Sequence, residues 1–179
     1  MQKIMGSPCR KSTLLTGSLI FILCSFFSVP YASAAGLKLV DIVHGPAKIK
    51  DENENYYYFR VKITTSDKAD LIFKRFDCVL TGDDNQLFKE CWINIAGWSA
   101  GLSVSQQTPI MMRTVQVGLS ENESSNFHIW NTSKIGGNKG FLSISLPEKG
   151  FAEMYFLWQV PSSFLVKKIK IGDLLEISI

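Results

Sequence analysis

The chain has few of the residues from which catalytic and metal sites are usually built. Its 179 residues include only 2 histidines and 4 cysteines. No His or Cys cluster has the spacing of a zinc site, and no G-x-S-x-G elbow frames a serine nucleophile. His44 precedes Gly45-Pro46 and is interpreted as a turn residue, whereas His128 is expected in a strand or loop. We therefore expect no metal, no cofactor and no enzymatic activity.

The sequence also lacks an amphipathic helix, an internal repeat and a low-complexity linker. Its one long apolar run, Leu14–Val29, is shorter than the roughly 20 residues that a membrane-spanning helix needs. A basic stretch precedes this run, and the small-x-small pattern Ala32-Ser33-Ala34 follows it. This order is typical of a cleaved signal peptide. Residues 1–34 are therefore predicted to direct export to the periplasm or the extracellular space, with a retained anchor as the alternative.

Net charge disappears once this segment is set aside. Lys3, Arg10 and Lys11 lie within it, whereas all 16 acidic residues follow it. The remaining 16 of the 19 basic residues balance them, so no basic patch indicates nucleic acid or an anionic membrane surface. We expect no nucleic-acid partner and no stable membrane insertion after cleavage. Residues 35–179 are long enough for a single domain with its own core.

Alternation with a period of two dominates this domain. In Tyr56–Thr65, aromatic and β-branched residues occupy every second position from Tyr57 to Ile63. In Phe151–Val160, one face is wholly apolar, and the other mixes Tyr155 and Leu157 with Glu153 and Gln159. The second segment is therefore predicted to be a central strand that is partly covered on both faces. Further predicted strands are Leu37–Val43, Phe73–Leu80, Leu87–Ile95, Met111–Leu119, Phe141–Leu146, Leu165–Ile171 and Leu174–Ile179.

Two cysteines of the expected mature chain, Cys78 and Cys91, flank the segment VLTGDDNQLFKE. A two-residue turn at Asp84-Asn85 would place them opposite each other on a hairpin. Directly opposed residues have Cα separations of about 4.5–5.5 Å, which lies within the disulfide range of about 4.4–6.8 Å. The spacing predicts a structural disulfide between Cys78 and Cys91, with two buried free thiols as the alternative. A CxxC-type redox role is disfavoured by the spacing.

Three segments resemble a secreted immunoglobulin-like domain family of unknown function, the family that includes a mycobacterial immunoprotective extracellular antigen. They are Phe59–Ile63, the strand and turn Phe76–Asn85, and the strand end Leu157–Pro161. Thr64-Thr65-Ser66 departs from the family, which usually has an asparagine after the first strand. The resemblance implies an all-β fold, an antiparallel immunoglobulin-like β-sandwich of about 7–9 strands. It brings no catalytic residues.

Aromatic residues in two unusual stretches are the candidates for ligand contact. Trp98 lies in CWINIAGWSAGL, and Phe127 and Trp130 lie in the polar stretch ENESSNFHIWNTS, which also holds the sequons at Asn122 and Asn131. Aromatic residues dominate binding hot spots when they stand in exposed loops. The alternative interpretation is that they pin a long loop to the core.

These features favour an exported, non-enzymatic binding or interaction domain whose partner is an unknown protein or small ligand. An assembly subunit of an envelope complex is the first alternative, and an unpaired edge strand would be its signature. A hydrolase with an unrecognised site near His44 or His128 is the second. The oligomeric state is not indicated.

Overall fold

The computed structural model describes residues 36–107, 111–120, 123–136 and 140–179. The predicted signal peptide and the sequon at Asn122 lie outside these residues, so both stay predictions. Within the described ranges, no helix has both the length and the apolar character needed to cross a membrane.

The described chain is all-β with antiparallel sheets, as the alternation predicts. Thirteen strands follow one another, with one short 3-10 helix at Thr132–Lys134 between the ninth and the tenth. The strands are β1 (Leu37–Ile49), β2 (Asn55–Thr65), β3 (Ala69–Lys74), β4 (Cys78–Gly82), β5 (Leu87–Phe88), β6 (Cys91–Trp98), β7 (Ser103–Gln106), β8 (Met112–Ser120), β9 (Glu123–Asn131), β10 (Phe141–Leu146), β11 (Phe151–Val160), β12 (Val166–Ile171) and β13 (Leu175–Ser178).

Six of these strands form a closed barrel in the order β1-β2-β11-β6-β9-β8. The long β2–β11 pair is its spine, with Phe59 opposite Phe156. Closure depends on two short contacts: β1 meets β8 at Lys48 and Ile49, and β6 meets β9 at Trp92 and Ile93. The interior is filled by side chains that alternate inward along these strands, as expected for a small barrel. Buried residues inside it are Ala47, Ile49, Tyr56, Trp92, Val117, Phe127, Ile129, Tyr155 and Leu157.

Two open sheets, β3-β10-β7 and β13-β12-β4-β5, pack against the outer face of the barrel spine. A second and larger hydrophobic core lies between the barrel and these sheets. The outer face of β2 and β11 contributes Phe59, Phe156 and Trp158 to this larger core, and all three are fully buried. The indole of Trp158 donates to the carbonyl of Cys78 across 3.3 Å, which fixes β4 against β11. Strand β11 is therefore buried on both faces, as its sequence predicts.

The barrel and the strand count correct the simpler sandwich that we expected. The fold has more strands than seven to nine, and one of its layers closes on itself. Two predicted strands are each split in two: a turn at Phe76, whose φ is 64°, separates β3 from β4, and residues 89 and 90 separate β5 from β6. The sequence does not reveal these two breaks, because the apolar pattern of the predicted strands continues through both of them.

The predicted hairpin has a different register. Leu80 pairs with Phe88 and Thr81 with Leu87, which centres the turn on Asp84 rather than between Asp84 and Asn85. Asn85 adopts a positive φ of 63°, so the loop has three residues instead of two. The hairpin ends at β5, and Cys91 belongs to the barrel strand β6. Cys78 and Cys91 are therefore not hairpin partners.

The interpretation of His44 as a turn residue is also wrong. His44, Gly45 and Pro46 lie within β1, opposite Phe59, Tyr58 and Tyr57 of β2. Pro46 lies outside the pairing of β1 with β8, which includes only Lys48 and Ile49, so its missing N–H does not interrupt that ladder.

Candidate binding groove

The three aromatic residues proposed from the sequence do not come together in loops. Phe127 and Trp130 lie in strand β9, where Phe127 is 3% exposed inside the barrel and its ring centroid is 4.7 Å from that of Tyr155. Trp130 is half-buried and packs against the larger core. Trp98 ends β6 and is 54% exposed. Phe127 and Trp130 are thus corrected to packing residues, and Trp98 stays a surface candidate.

Cys78 and Cys91 are both free thiols and both fully buried. The two thiols are close to each other where β4 packs against β6, and the Cys78 side chain is within hydrogen-bonding reach of the Cys91 thiol. Burial, followed by this neighbour, raises the pKa of Cys91 well above its ordinary value. A thiol of this kind is a poor nucleophile. The predicted disulfide stays a prediction, supported by proximity rather than by hairpin register.

A groove of about 410 Å³ opens where β1 adjoins both β2 and β8. Its walls are mainly apolar, and the segment that follows β11 closes one side. Pockets of this size suit small organic molecules. The lining residues are Pro46, Ala47, Lys48, Asn55, Tyr56, Tyr57, Gly118, Leu119, Val160, Pro161, Ser162 and Phe164.

Aromatic rings form the structural wall of this groove. The Tyr57 ring stacks on His44 at a centroid distance of 5.9 Å and meets Phe164 edge-on at 6.4 Å. The Phe164 ring in turn contacts the Phe88 ring edge-on, with 4.7 Å between the two centroids. A Cβ atom on Gly82 would lie 2.8 Å from Cε2 of Phe164, so only glycine lets the ring sit there. The rings of His44, Tyr57, Phe164 and Phe88, which come from four separate chain segments, therefore hold this wall together.

Desolvation disfavours the charged forms of the polar side chains in this wall. Burial raises the pKa of Tyr57 to about 12, so its hydroxyl keeps its proton at physiological pH. Partial burial lowers the pKa of His44, which favours the neutral imidazole. The Tyr57 oxygen and His44 Nδ1 are 2.5 Å apart. The two groups share this hydrogen bond, and the tautomer of the imidazole decides which of them donates.

Lys48 supplies the groove's charge. Among the described lining residues it is the only lysine, and no arginine, aspartate or glutamate accompanies it. Its ammonium donates to the side-chain oxygen of Asn55, which positions it without cancelling its charge. The groove therefore combines an apolar, aromatic body with one positive end.

The described residues bring no catalytic constellation together. His128 is bonded to Thr114 across 2.9 Å on the exposed outer face of the β8–β9 pair, with no carboxylate in this contact. Within the part of the chain that the structure describes, no cluster of three or more His, Cys, Asp or Glu side chains could hold a metal. His44 faces Tyr57 rather than a nucleophile or an acid.

One end of the barrel is closed by a polar cluster that shares Tyr56 with the groove. Arg113 Nη1 lies 2.5 Å from Glu52 Oε1, and the Tyr56 hydroxyl donates to Glu52 Oε2 at 2.5 Å. The Arg113 guanidinium also stands 4.4 Å from the ring centroid of Trp92. Buried rings and a paired charge make this cluster a structural plug, not an open site.

The second sequon is inaccessible in the folded protein. Asn131 is fully buried, and its amide donates to Glu90 across 2.8 Å while its oxygen accepts from Ser133. Glycosylation needs a solvent-exposed amide nitrogen, so this asparagine serves the structure. Its side chain caps the 3-10 helix that follows β9.

No local sequence pattern indicates the groove, because its lining residues are far apart in the chain. Pro46 and Phe164 had no local pattern that joined them. The alternation of Phe127 and Ile129 within a polar stretch was the available signal for strand β9, and it was outweighed by the surrounding polar residues.

Comparisons of the chain with protein-family models, with curated proteins and with solved structures gave no match.

Proposed function

We propose that this protein is a non-enzymatic binding domain whose groove takes a small amphipathic molecule with an apolar, preferably aromatic, body and one anionic group. The observation that carries the proposal is the pairing of an aromatic wall, Tyr57 and Phe164, with the single cation Lys48. Rings supply apolar area and edge-to-face contacts, and an ammonium selects a carboxylate or sulfonate.

The proposed binding would take place outside the cytoplasm. The predicted signal peptide and the predicted Cys78–Cys91 disulfide both point to a compartment outside the cytoplasm. The resemblance to secreted immunoglobulin-like domains of unknown function agrees with export and brings no catalytic residues. An assembly subunit is the second candidate, favoured by an uncharged edge strand in one open sheet.

Fluorescence of 8-anilinonaphthalene-1-sulfonate tests the proposal, because this probe has an aromatic body and one sulfonate. Saturable binding to the native protein is expected, with affinity reduced several-fold in Phe164→Ala and partly restored in Phe164→Leu. Trp98→Ala is the matched control, since Trp98 is an exposed aromatic residue outside the groove. Equal loss in Trp98→Ala and Phe164→Ala, with both variants folded by thermal melting, would place the probe elsewhere and defeat the proposal.

A further inference from the structure

Strand β7 is the outermost strand of the sheet β3-β10-β7 and is exposed along its whole length. It pairs with β10 on one side, with Ser105 opposite Ser143 and Val104 opposite Ile144. The Gln107 N–H donates to the Phe141 carbonyl, and this bond shows which residue pairs of the β7–β10 ladder are hydrogen-bonded. Because hydrogen-bonded pairs alternate in antiparallel sheets, the N–H and C=O groups of Val104 and Gln106 point away from β10, toward the open edge.

Proteins usually protect such an edge with charge, proline or a bulge. In the two open sheets, edge strand β3 carries Asp70 and Lys74, edge strand β13 carries Glu176, and β5 has only two residues. The sequence of β7, SVSQ, has no charge and no proline. Its Val104 side chain is 40% exposed at the rim of the core. This edge is therefore open to pairing in a way that the other edges of these sheets are not.

We propose that β7 pairs antiparallel with β7 of a second copy of this chain, about a two-fold axis through Ser105. In that register, Val104 of one copy faces Gln106 of the other, so all the outward backbone groups of both residues find partners. The strand is self-complementary, and without charge it does not repel its own copy. The two sheets then continue as one, and Val104 is covered. This inference does not depend on the proposed ligand groove.

A second copy is the occupant that these observations favour. A foreign strand could form the same backbone bonds, but β7 has no charged side chain with which to select one. The contact is short, so we expect a weak, concentration-dependent dimer rather than an obligate one.

Cysteine cross-linking tests the register. The two Ser105 residues would form a pair without hydrogen bonds between their own backbones, with Cα atoms about 4.5 Å apart, which is within disulfide range. Ser105→Cys, made in the full chain and oxidised under mild conditions, is expected to give a covalent dimer. Ser103→Cys is the matched control, because its two copies would lie roughly 13 Å apart along the strands. The native cysteines do not interfere, since Cys78 and Cys91 are buried and every variant also carries Cys9→Ser and Cys24→Ser.

Two edge variants test the pairing itself. Val104→Pro removes an N–H that points to the open edge and none that bonds β10, and Val104→Lys places a charge there. Each is expected to abolish cross-linking of Ser105→Cys at an unchanged fold, checked by circular dichroism. The proposal is overturned if Ser105→Cys stays monomeric at millimolar protein, if Ser103→Cys cross-links equally well, or if folded edge variants still dimerise.

Discussion

The hydroxyl of Tyr57 lies 2.5 Å from Nδ1 of His44, and the two rings stack at the wall of the groove with their planes tilted by 30°. One residue belongs to β2 and the other to β1, so the bond holds neighbouring barrel strands in one arrangement. It also orients the Tyr57 ring toward Phe164. The geometry of the groove therefore depends on a hydrogen bond whose histidine partner can be protonated.

Acidification is predicted to weaken the protein through His44. Burial lowers its pKa in the folded state below 6.5, so unfolded chains take up the proton first as the pH falls. The contribution to stability is complete above pH 6.5 and is lost as the pH drops through the lowered folded value. Thermal melting between pH 7 and pH 5, read against His44→Gln, measures it. Glutamine accepts a hydrogen bond without titrating, so its curve should be flatter, and parallel curves would contradict the assignment.

Gly82 is predicted to control the groove from outside it. Alanine at this position would place its Cβ 2.8 Å from the Phe164 ring and displace it. We expect Gly82→Ala to bind the naphthalene sulfonate probe several-fold more weakly. Gly97→Ala is the control, since its added Cβ would meet Glu153 only at ordinary contact distance, 3.6 Å. Unchanged probe affinity in Gly82→Ala would show that the position of Phe164 does not govern binding.

The two buried thiols are predicted to be joined in protein recovered from an oxidising compartment. Non-reducing mass spectrometry should show a mass lower by two hydrogens, with no alkylation after denaturation. The bridge would stabilise the protein by about 3 kcal/mol in the chain-entropy account, so a reductant should lower the melting temperature. Two alkylatable thiols in exported protein would refute the bridge and leave a purely packed pair.

Glu52→Gln is predicted to destabilise the barrel by about 1–2 kcal/mol, because it removes the charge that Arg113 and Tyr56 bond. The comparison is Glu176→Gln, whose partner Lys168 lies at 2.6 Å, against 2.5 Å for Arg113 and Glu52, but at the more exposed surface. Exposed pairs contribute little, so this variant should unfold at nearly the wild-type urea concentration. Similar losses in the two variants would show that enclosure of the Glu52 pair adds nothing.

The residues of β2 and β11 could be read from the sequence because their neighbours along the chain impose a period of two. The alternation placed Phe59 on one face and Arg60 on the other, and it placed Phe156 in the core. Barrel closure had no such signal. It depends on Lys48 meeting Gly118, a contact between strands far apart in the chain. The groove was hidden for the same reason, since tertiary packing alone brings Pro46 and Phe164 together.

Lys48 is predicted to select the charge of the ligand. The sulfonated probe and its uncharged analogue N-phenyl-1-naphthylamine share the same aromatic body, so the ratio of their affinities isolates the anionic group. Wild-type protein should prefer the sulfonate roughly two- to five-fold, as expected for a partly exposed ion pair. Lys48→Met should abolish this preference while still binding the uncharged probe, and Lys74→Met, far from the groove, should preserve it. A Lys48→Met variant that keeps the full preference would contradict the proposed groove chemistry.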